Sequence, residues 1–205
     1  MPPPYLSFEE LLQRVDQPFQ SAFNQLLVEH GALFRSARGS SYNHQAWVGG
    51  YADHILEVLN AAVVLYDTLG QLRPLPFSLS DALVVLFVHD LEKPWAYEEV
   101  GGAWRRREGL KANAHDFRLG RLAEAGITLP SALERAVFFV EGEGNHYTNR
   151  SRAMSPLAAF CHMCDVTSAR LWHDHPMERD DPWVGAGRSH VEPVVSTDDG
   201  GDPGS

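Results

Sequence analysis

The sequence of 205 residues predicts an all-α fold with room for one small β-hairpin. Three observations support this prediction: apolar residues recur at helical spacing between residues 51 and 69, a capping box lies at residues 7–10, and glycine or proline follows several apolar segments. The chain is long enough for one domain of ordinary size with a short appendage.

Two helices are predicted before residue 31. Ser7 and Glu10 match a capping box, in which each side chain accepts a hydrogen bond from the other residue's backbone N–H, so a short helix begins there and Pro18 ends it. A second helix is predicted from Phe19 to His30, with Gly31 as its stop. Both helices are interpreted as scaffold.

A longer helix is predicted from Tyr51 to Leu69, released by Gly49 and stopped by Gly70. His54 lies at the edge of its apolar stripe and is expected to point inward, where a single histidine is more often a hydrogen-bonded core residue than a ligand. The stripe consists of Ile55, Val58, Leu59, Ala62, Val63, Leu65, Tyr66 and Leu69.

Seven uninterrupted apolar residues, 82–88, lead directly into His89 and Asp90. The run could be a buried strand, but the helical patterns around it favour a helix, which Ser80 can cap. An unpaired carboxylate after such a segment would cost several kcal/mol, so Asp90 is expected to be paired or to bind a metal. The metal is the favoured interpretation.

After this pair the pattern becomes less regular. Residues 97–107 resemble a hairpin that turns at residues 101–102, and residues 112–125 and a segment starting at Pro130 are predicted to be helices. His115 lies on an apolar face of the first of these helices, and His146 lies in a glycine-rich loop after the second.

The last helix is predicted from Pro156 to Trp172 and places Asp165 on an otherwise apolar face, where a carboxylate requires a cation. Cys161 and Cys164 are the only cysteines. One C-x-x-C inside a helix provides neither a disulfide framework nor four zinc ligands, so we expect two small buried side chains.

The formal charge of -10 is concentrated at the C-terminus, because residues 174–205 contribute -6 of it. The remaining part lacks the basic surface that extended nucleic acid requires. Residues 1–176 are predicted to form the domain, and residues 177–205 an acidic, Gly/Pro-rich mobile tail. No apolar run approaches the ~18 residues of a membrane span, so a soluble, cytoplasmic protein is expected, with no membrane partner.

The motifs within residues 42–172 resemble those of the HD superfamily of metal-dependent phosphohydrolases, a helical fold. Gly-Gly-Tyr-Ala-Asp-His at residues 49–54 is similar to that family's Gly-Gly-Leu-x-x-His helix, and Leu-Phe-Val-His-Asp-Leu-Glu-Lys at residues 86–93 is similar to its Leu-x-His-Asp-x-Gly-Lys segment. Glu92 stands where the family has glycine, which puts the local turn in question.

The resemblance implies a set of metal ligands. Four would hold one ion: His54, His89, Asp90 and Asp165. Family members with two further histidines bind a second ion, which implies His115 and His146 here, bridged through Asp90, with His162 as a reserve ligand. Imidazole and carboxylate ligands suit Mn, Fe, Co, Ni or Zn.

The other site residues are proposed from their positions next to these ligands: Lys93 follows Asp90, Arg118 lies one turn from His115, and Arg150 and Arg152 follow His146. Asp90 and Lys93 would take part in catalysis. Contacts with a phosphorylated substrate are expected from basic residues near the ligands, namely His44, Lys93, Arg118, Arg150 and Arg152.

The function implied is hydrolysis of a small phosphate ester, most simply a nucleotide, by metal-activated hydroxide. The alternatives are a diiron oxygenase with a similar ligand set, a 3'-to-5' exonuclease, and a binding module without catalysis. The sequence does not specify the base, the number of phosphates, the metal or the oligomeric state.

Overall fold

The computed structural model describes residues 3–100, 103–107, 109–110 and 112–189. Within these ranges the fold is all-α with one antiparallel hairpin, as the sequence predicts. The elements in chain order are α1 (Phe8–Leu12), α2 (Phe19–Ser36), α3 (Gly50–Leu72), α4 (Leu79–Val88), α5 (Lys93–Ala96), β1 (Tyr97–Val100), β2 (Ala103–Arg106), α6 (Ala114–Glu124), α7 (Ser131–Phe139) and α8 (Pro156–Val166).

Helix α3 lies at the centre of the bundle and packs against α1, α2, α4 and α8. Most of its residues from Gly50 to Val63 are buried, including the polar Asp53, His54 and Glu57. By length and composition alone α3 could cross a membrane, which the sequence analysis did not anticipate. Its burial against four other helices is what the central helix of a bundle requires.

Helix α4 is buried along almost its whole length, which settles the choice between helix and strand for residues 82–88. Its cap is Ser78, which forms a capping box with Asp81, and not Ser80 as predicted. The Ser80 hydroxyl instead accepts a hydrogen bond from the backbone N–H of Asp16 at 2.8 Å. His89 is the C-cap residue, so the His-Asp pair stands where α4 ends.

Two predicted helix stops are wrong. Gly31 lies inside α2, which continues to Ser36, and Gly70 lies inside α3, which continues to Leu72. A glycine inside a helix costs only about 1 kcal/mol relative to alanine. In α2 this cost is offset because the extra turns bury Phe34, which is 3% exposed.

The turn before α3 depends on two glycines. Gly49 has a φ of 85°, in the left-handed region that favours glycine. A Cβ on Gly50 would lie 1.8 Å from the carbonyl oxygen of Gln45, so no larger residue fits. Gln45 is itself fully buried, and its Nε2 donates to the carbonyl of His175 at 2.9 Å. The loop before α3 is therefore bound to the C-terminal part of the chain.

The last predicted helix is shorter than expected. Helix α8 ends at Val166, and a π-helical turn, Thr167–Leu171, replaces its predicted continuation to Trp172. This turn buries Ser168 completely against α3. The only two cysteines, Cys161 and Cys164, are buried and free, as predicted.

Residues 177–189, which the sequence predicts to be part of a mobile tail, pack against the domain. Trp183 meets Tyr5 edge-on at 5.1 Å between ring centroids, and its indole N–H donates to the carbonyl of Pro3 at 2.8 Å. The backbone N–H of Ser189 donates to Asp53 at 2.7 Å. An indole ring carries enough apolar surface to dock a polar segment. The rest of the predicted tail, 190–205, lies outside the described residues.

Candidate metal centre

Three helices bring together four of the six predicted metal ligands. Nε2 of His54, on α3, lies 3.5 Å from Oδ2 of Asp90 and 3.4 Å from Oδ1 of Asp165 on α8. Nε2 of His89, which follows α4, lies 3.4 Å and 3.6 Å from the same two oxygens. Donor atoms that bind a metal tetrahedrally at 2.0–2.2 Å stand about 3.4 Å apart. His54, His89 and Asp165 thus form a group that could hold a metal ion.

Both imidazole rings are oriented for this role. Nδ1 of His89 lies 2.6 Å from the carbonyl oxygen of Leu86, and since a carbonyl can only accept, Nδ1 carries the proton. Nδ1 of His54 lies 3.0 Å from the Ser168 hydroxyl, which itself donates to Glu57 at 2.6 Å. Both Nε2 atoms are buried, and neither has a hydrogen-bond partner among the described residues. Such atoms require an explanation, and a metal ion provides one.

The charges at the centre balance one another. Burial raises the pKa of Asp90, but Lys93 and the histidines outweigh it and hold that pKa well below its usual value. Burial likewise raises the pKa of Asp165, but the adjacent imidazoles of His54 and His89 outweigh it and hold that pKa well below its usual value. Burial lowers the pKa of His89, but the two carboxylates raise it to about 9. The two carboxylates therefore favour the protonated form of His89, and a divalent cation that binds there would displace this proton.

Lys93 adds a permanent positive charge beside the four residues. Its Nζ lies 2.5 Å from Oδ2 of Asp90 and 3.5 Å from Nε2 of His44. Burial lowers the pKa of Lys93, but Asp90 outweighs it and the pKa is raised. Burial and Lys93 lower the pKa of His44 to about 4, so this imidazole is neutral at pH 7. His44 and Lys93, two of the five residues predicted to contact substrate, thus both lie at the metal centre.

The centre opens into a cavity of about 620 Å³, which we call the metal cavity. Its walls include His44, Lys93, Arg118, Glu141, His162 and Arg170. Arg118 donates from Nε to Glu92 at 2.6 Å, and both side chains are buried. This ion pair explains why a glutamate is accommodated at residue 92. Arg118 reaches the cavity as predicted, with much of its charge offset by Glu92.

His115 and His146, which were predicted to hold a second ion bridged by Asp90, do not lie at the metal centre. They line a different cavity, of about 520 Å³, where each ring contacts Phe138 at 5.7 Å between centroids. On α6, Ala114 and Arg118 are the residues that line the metal cavity. His115 is rotated by about 100° from Ala114 around the helix axis and therefore faces α7, with Nε2 3.4 Å from Glu134.

Arg150 and Arg152 are also misplaced by the sequence prediction. Both are exposed in the loop before α8, and neither lines the metal cavity. The Arg152 guanidinium lies 5.7 Å from the Tyr147 ring centroid. Adjacency to His146 in the sequence suggested a substrate contact, and that argument fails because His146 itself lies elsewhere.

Two residues that line the metal cavity were not among the predicted ligands or substrate contacts. His162, named only as a reserve ligand, lies one turn before Asp165, and its Nδ1 is 2.5 Å from the carbonyl oxygen of Val140. Arg170 was not anticipated, because five residues along an α-helix correspond to a rotation of about 140°, away from Asp165. The π-helical turn changes that spacing and places exposed Arg170 at the cavity.

Comparison of the chain with known protein families, with curated proteins and with solved structures finds no match.

Proposed function

We propose that this protein is a metal-dependent phosphohydrolase that cleaves a small phosphate ester, with a nucleotide as the substrate class. One observation carries the proposal: two buried imidazoles, each with its Nδ1 hydrogen bonded, present partnerless Nε2 atoms to two carboxylates. The Gly-Gly…His and His-Asp…Lys motifs that supply three of these residues support the same activity.

His54, His89, Asp90 and Asp165 are the residues that would hold the ion. An ion bound there supplies Lewis acidity, which polarises a phosphoryl oxygen and makes a bound water a stronger acid. The protein's own contribution is orientation. The carbonyl of Leu86 and the hydroxyl of Ser168 fix the imidazole rings, so the donor atoms need little rearrangement on binding.

The substrate class follows from the charges and the size of the metal cavity. Lys93 lies inside it beside Asp90, and Arg170 stands exposed at its wall. Ammonium and guanidinium groups are suited to phosphate oxygens, and neutral His44 can exchange hydrogen bonds with a ligand. A volume of about 620 Å³ lies within the range that protein cavities offer to small-molecule ligands.

The geometry favours one ion over two. A diiron oxygenase with the six-residue set would need His115 and His146 near Asp90, but both line another cavity. The four-residue site and the phosphate-binding charges together support hydrolysis as the better proposal. Oxygen chemistry remains the second candidate to be tested.

The test combines metal content with a substrate panel. Phosphate release would be measured from nucleoside mono-, di- and triphosphates and cyclic dinucleotides with Mn, Co, Mg or Fe. The key variant is Asp90→Asn, which should lose both the bound metal and the activity. Asp116→Asn is a matched control, because Asp116 also follows a histidine but is exposed and outside the metal cavity.

Two results would contradict the proposal. If Asp90→Asn keeps the metal stoichiometry of the wild type, the assignment of Asp90 to a metal centre is wrong. A metal-loaded protein that releases no phosphate from any member of the panel, and consumes oxygen with another substrate, would favour the oxygenase.

A further inference from the structure

A second cavity, of about 490 Å³, lies between α3 and the C-terminal segment, and we call it the tryptophan cavity. It shares no lining residue with the metal cavity. Its walls are mostly apolar side chains: Pro3, Ala61, Val64, Leu65, Pro182 and Ala186, together with Trp172 and Trp183. No lysine or arginine of the described residues lines it.

Glu57 supplies a buried carboxyl group to this apolar wall. The residue is only 3% exposed, and its Oε2 accepts hydrogen bonds from Gln45 at 3.0 Å and Ser168 at 2.6 Å. Its Oε1 accepts no hydrogen bond from the described part of the chain, and no described cation forms an ion pair with it. A carboxyl oxygen that lacks a protein donor, on a largely buried side chain beside a cavity, is a site for a donor from a ligand.

The other charges near Glu57 have the same sign. Burial raises the pKa of Glu57 to about 8, and Asp181, Asp53 and Asp174 raise it further, while the Ser168 hydrogen bond opposes them. Asp181 also lines the cavity, with its carboxylate fixed by the backbone N–H groups of Met177 at 2.7 Å and Trp183 at 2.8 Å. An ammonium group in this apolar enclosure would favour the ionised form of Glu57, because its charge offsets the burial and the neighbouring carboxylates that raise the pKa.

The two indole rings add a second attraction for a cation. Trp172 and Trp183 stand 5.8 Å apart between ring centroids at 65°. The hydrogen bond from the Trp183 indole N–H to Pro3 fixes one of the rings. Aromatic faces attract ammonium groups, tryptophan most strongly, and enclosed pairs of aromatic rings are suited to organic cations.

We infer that the tryptophan cavity binds a small organic cation, an ammonium group on an apolar body. The ammonium group donates to Glu57 and lies near Asp181, and the apolar body contacts the indole rings and the α3 side chains. The site uses none of the metal-centre ligands, and it is linked to them through Ser168, which donates to Glu57 and lies 3.0 Å from Nδ1 of His54.

The experiment compares two probes of nearly the same shape, 2-phenylethylammonium and 2-phenylethanol, by calorimetric titration of the full chain. The ammonium probe should bind with a dissociation constant at least about tenfold lower than the alcohol. Glu57→Gln, which keeps an acceptor for Gln45 and Ser168, should weaken the ammonium probe by about tenfold or more and leave the alcohol nearly unchanged. Trp183→Leu should weaken both probes.

Two matched controls locate the binding. Glu29→Gln removes a carboxylate from the surface of α2 and should leave both affinities unchanged. Asp165→Asn alters the metal centre and should also leave them unchanged, which separates this site from the metal cavity. Should Trp183→Leu fail to fold, Trp183→Phe keeps the ring and should retain part of the ammonium affinity.

Three outcomes overturn the inference. They are no saturable binding of the ammonium probe, equal affinities for the two probes, or an ammonium affinity that falls in Asp165→Asn and not in Glu57→Gln. Loss of phosphohydrolase activity has no bearing on any of them.

Discussion

The Ser168 hydroxyl lies 3.0 Å from Nδ1 of His54, and it donates its own proton to Glu57 at 2.6 Å. Because Ser168 has one proton and gives it to Glu57, it accepts from Nδ1–H of His54. This leaves the lone pair of His54 on Nε2, on the side of Asp90 and Asp165. Ser168, which is not itself a predicted metal ligand, thereby determines which nitrogen of His54 can bind a metal ion.

Ser168→Ala should therefore weaken metal binding by about tenfold or more, because His54 loses the group that selects its tautomer. The measurement is a competitive metal titration, with a thermal melt to detect any separate loss of stability. Thr167→Ala is the matched control, since within the described part of the chain the Thr167 hydroxyl hydrogen bonds only to the carbonyl of Met163, one turn earlier. Equal metal affinities in Ser168→Ala and the wild type would show that Ser168 has no orienting role.

His115→Ala and His146→Ala should each retain the metal content of the wild type. Both histidines line the cavity that also contains Glu134 and Phe138, away from the metal centre. Elemental analysis of the purified variants provides the measurement, with His89→Ala as the variant expected to lose its metal. A loss of one ion per chain in either His115→Ala or His146→Ala would restore the two-metal interpretation.

Gly50→Ala should destabilise the protein by more than about 3 kcal/mol, since the added Cβ would lie 1.8 Å from the Gln45 carbonyl oxygen. Gly70→Ala, in the same helix, has no atom within 4 Å of the added Cβ. It should be neutral or stabilising by about 0.5–1 kcal/mol, because alanine is the better helix former. Urea denaturation of the two variants gives the comparison, and similar effects at both positions would be inconsistent with the close contact at Gly50.

A chain ending at residue 176 should melt at a lower temperature than a chain ending at residue 189. The shorter chain lacks the contacts of Trp183 with Tyr5, Trp172 and Pro3. It also lacks the hydrogen bond from the Ser189 backbone N–H to Asp53. An aromatic contact of this kind contributes about 0.5–1.5 kcal/mol beyond its buried area, so a shift of several degrees is expected. Coincident melting curves would mean that the segment adds nothing to stability.

The buried Glu57 should make stability depend on pH. Its pKa is raised to about 8 in the folded state, against 4.5 ordinarily, mainly by burial. Both states hold the proton below about pH 4.5, whereas above it the unfolded chain loses the proton first, so this contribution to stability falls as pH rises towards 8. Glu57→Gln carries no titrating group and should lack this loss, which amounts to a few kcal/mol.

Chemical denaturation of the wild type and Glu57→Gln between about pH 5 and pH 9 measures this contribution. The free energy of unfolding of the wild type should decline relative to that of the variant across this range. A constant difference between the two proteins would show that the pKa of Glu57 is not raised.

The sequence alone predicted the elements whose signals are local. The capping box at Ser7, the helical spacing of α3, the hairpin at residues 97–107 and the apolar run before His89 each depend on residues close together in the chain. For the same reason the four residues of the candidate metal centre could be named from the sequence. Three of them lie in two compact motifs, and Asp165 interrupts an apolar face.

Tertiary packing decided the rest, because it depends on which face of an element meets which neighbour. One residue of rotation along α6 separates Ala114, in the metal cavity, from His115, which faces Phe138. The change from α- to π-helical spacing after Val166 brings Ser168 against His54 and Arg170 to the metal cavity. Periodicity in the sequence assumes regular helices and carries no information on partners far apart in the chain, so neither placement could be derived from it.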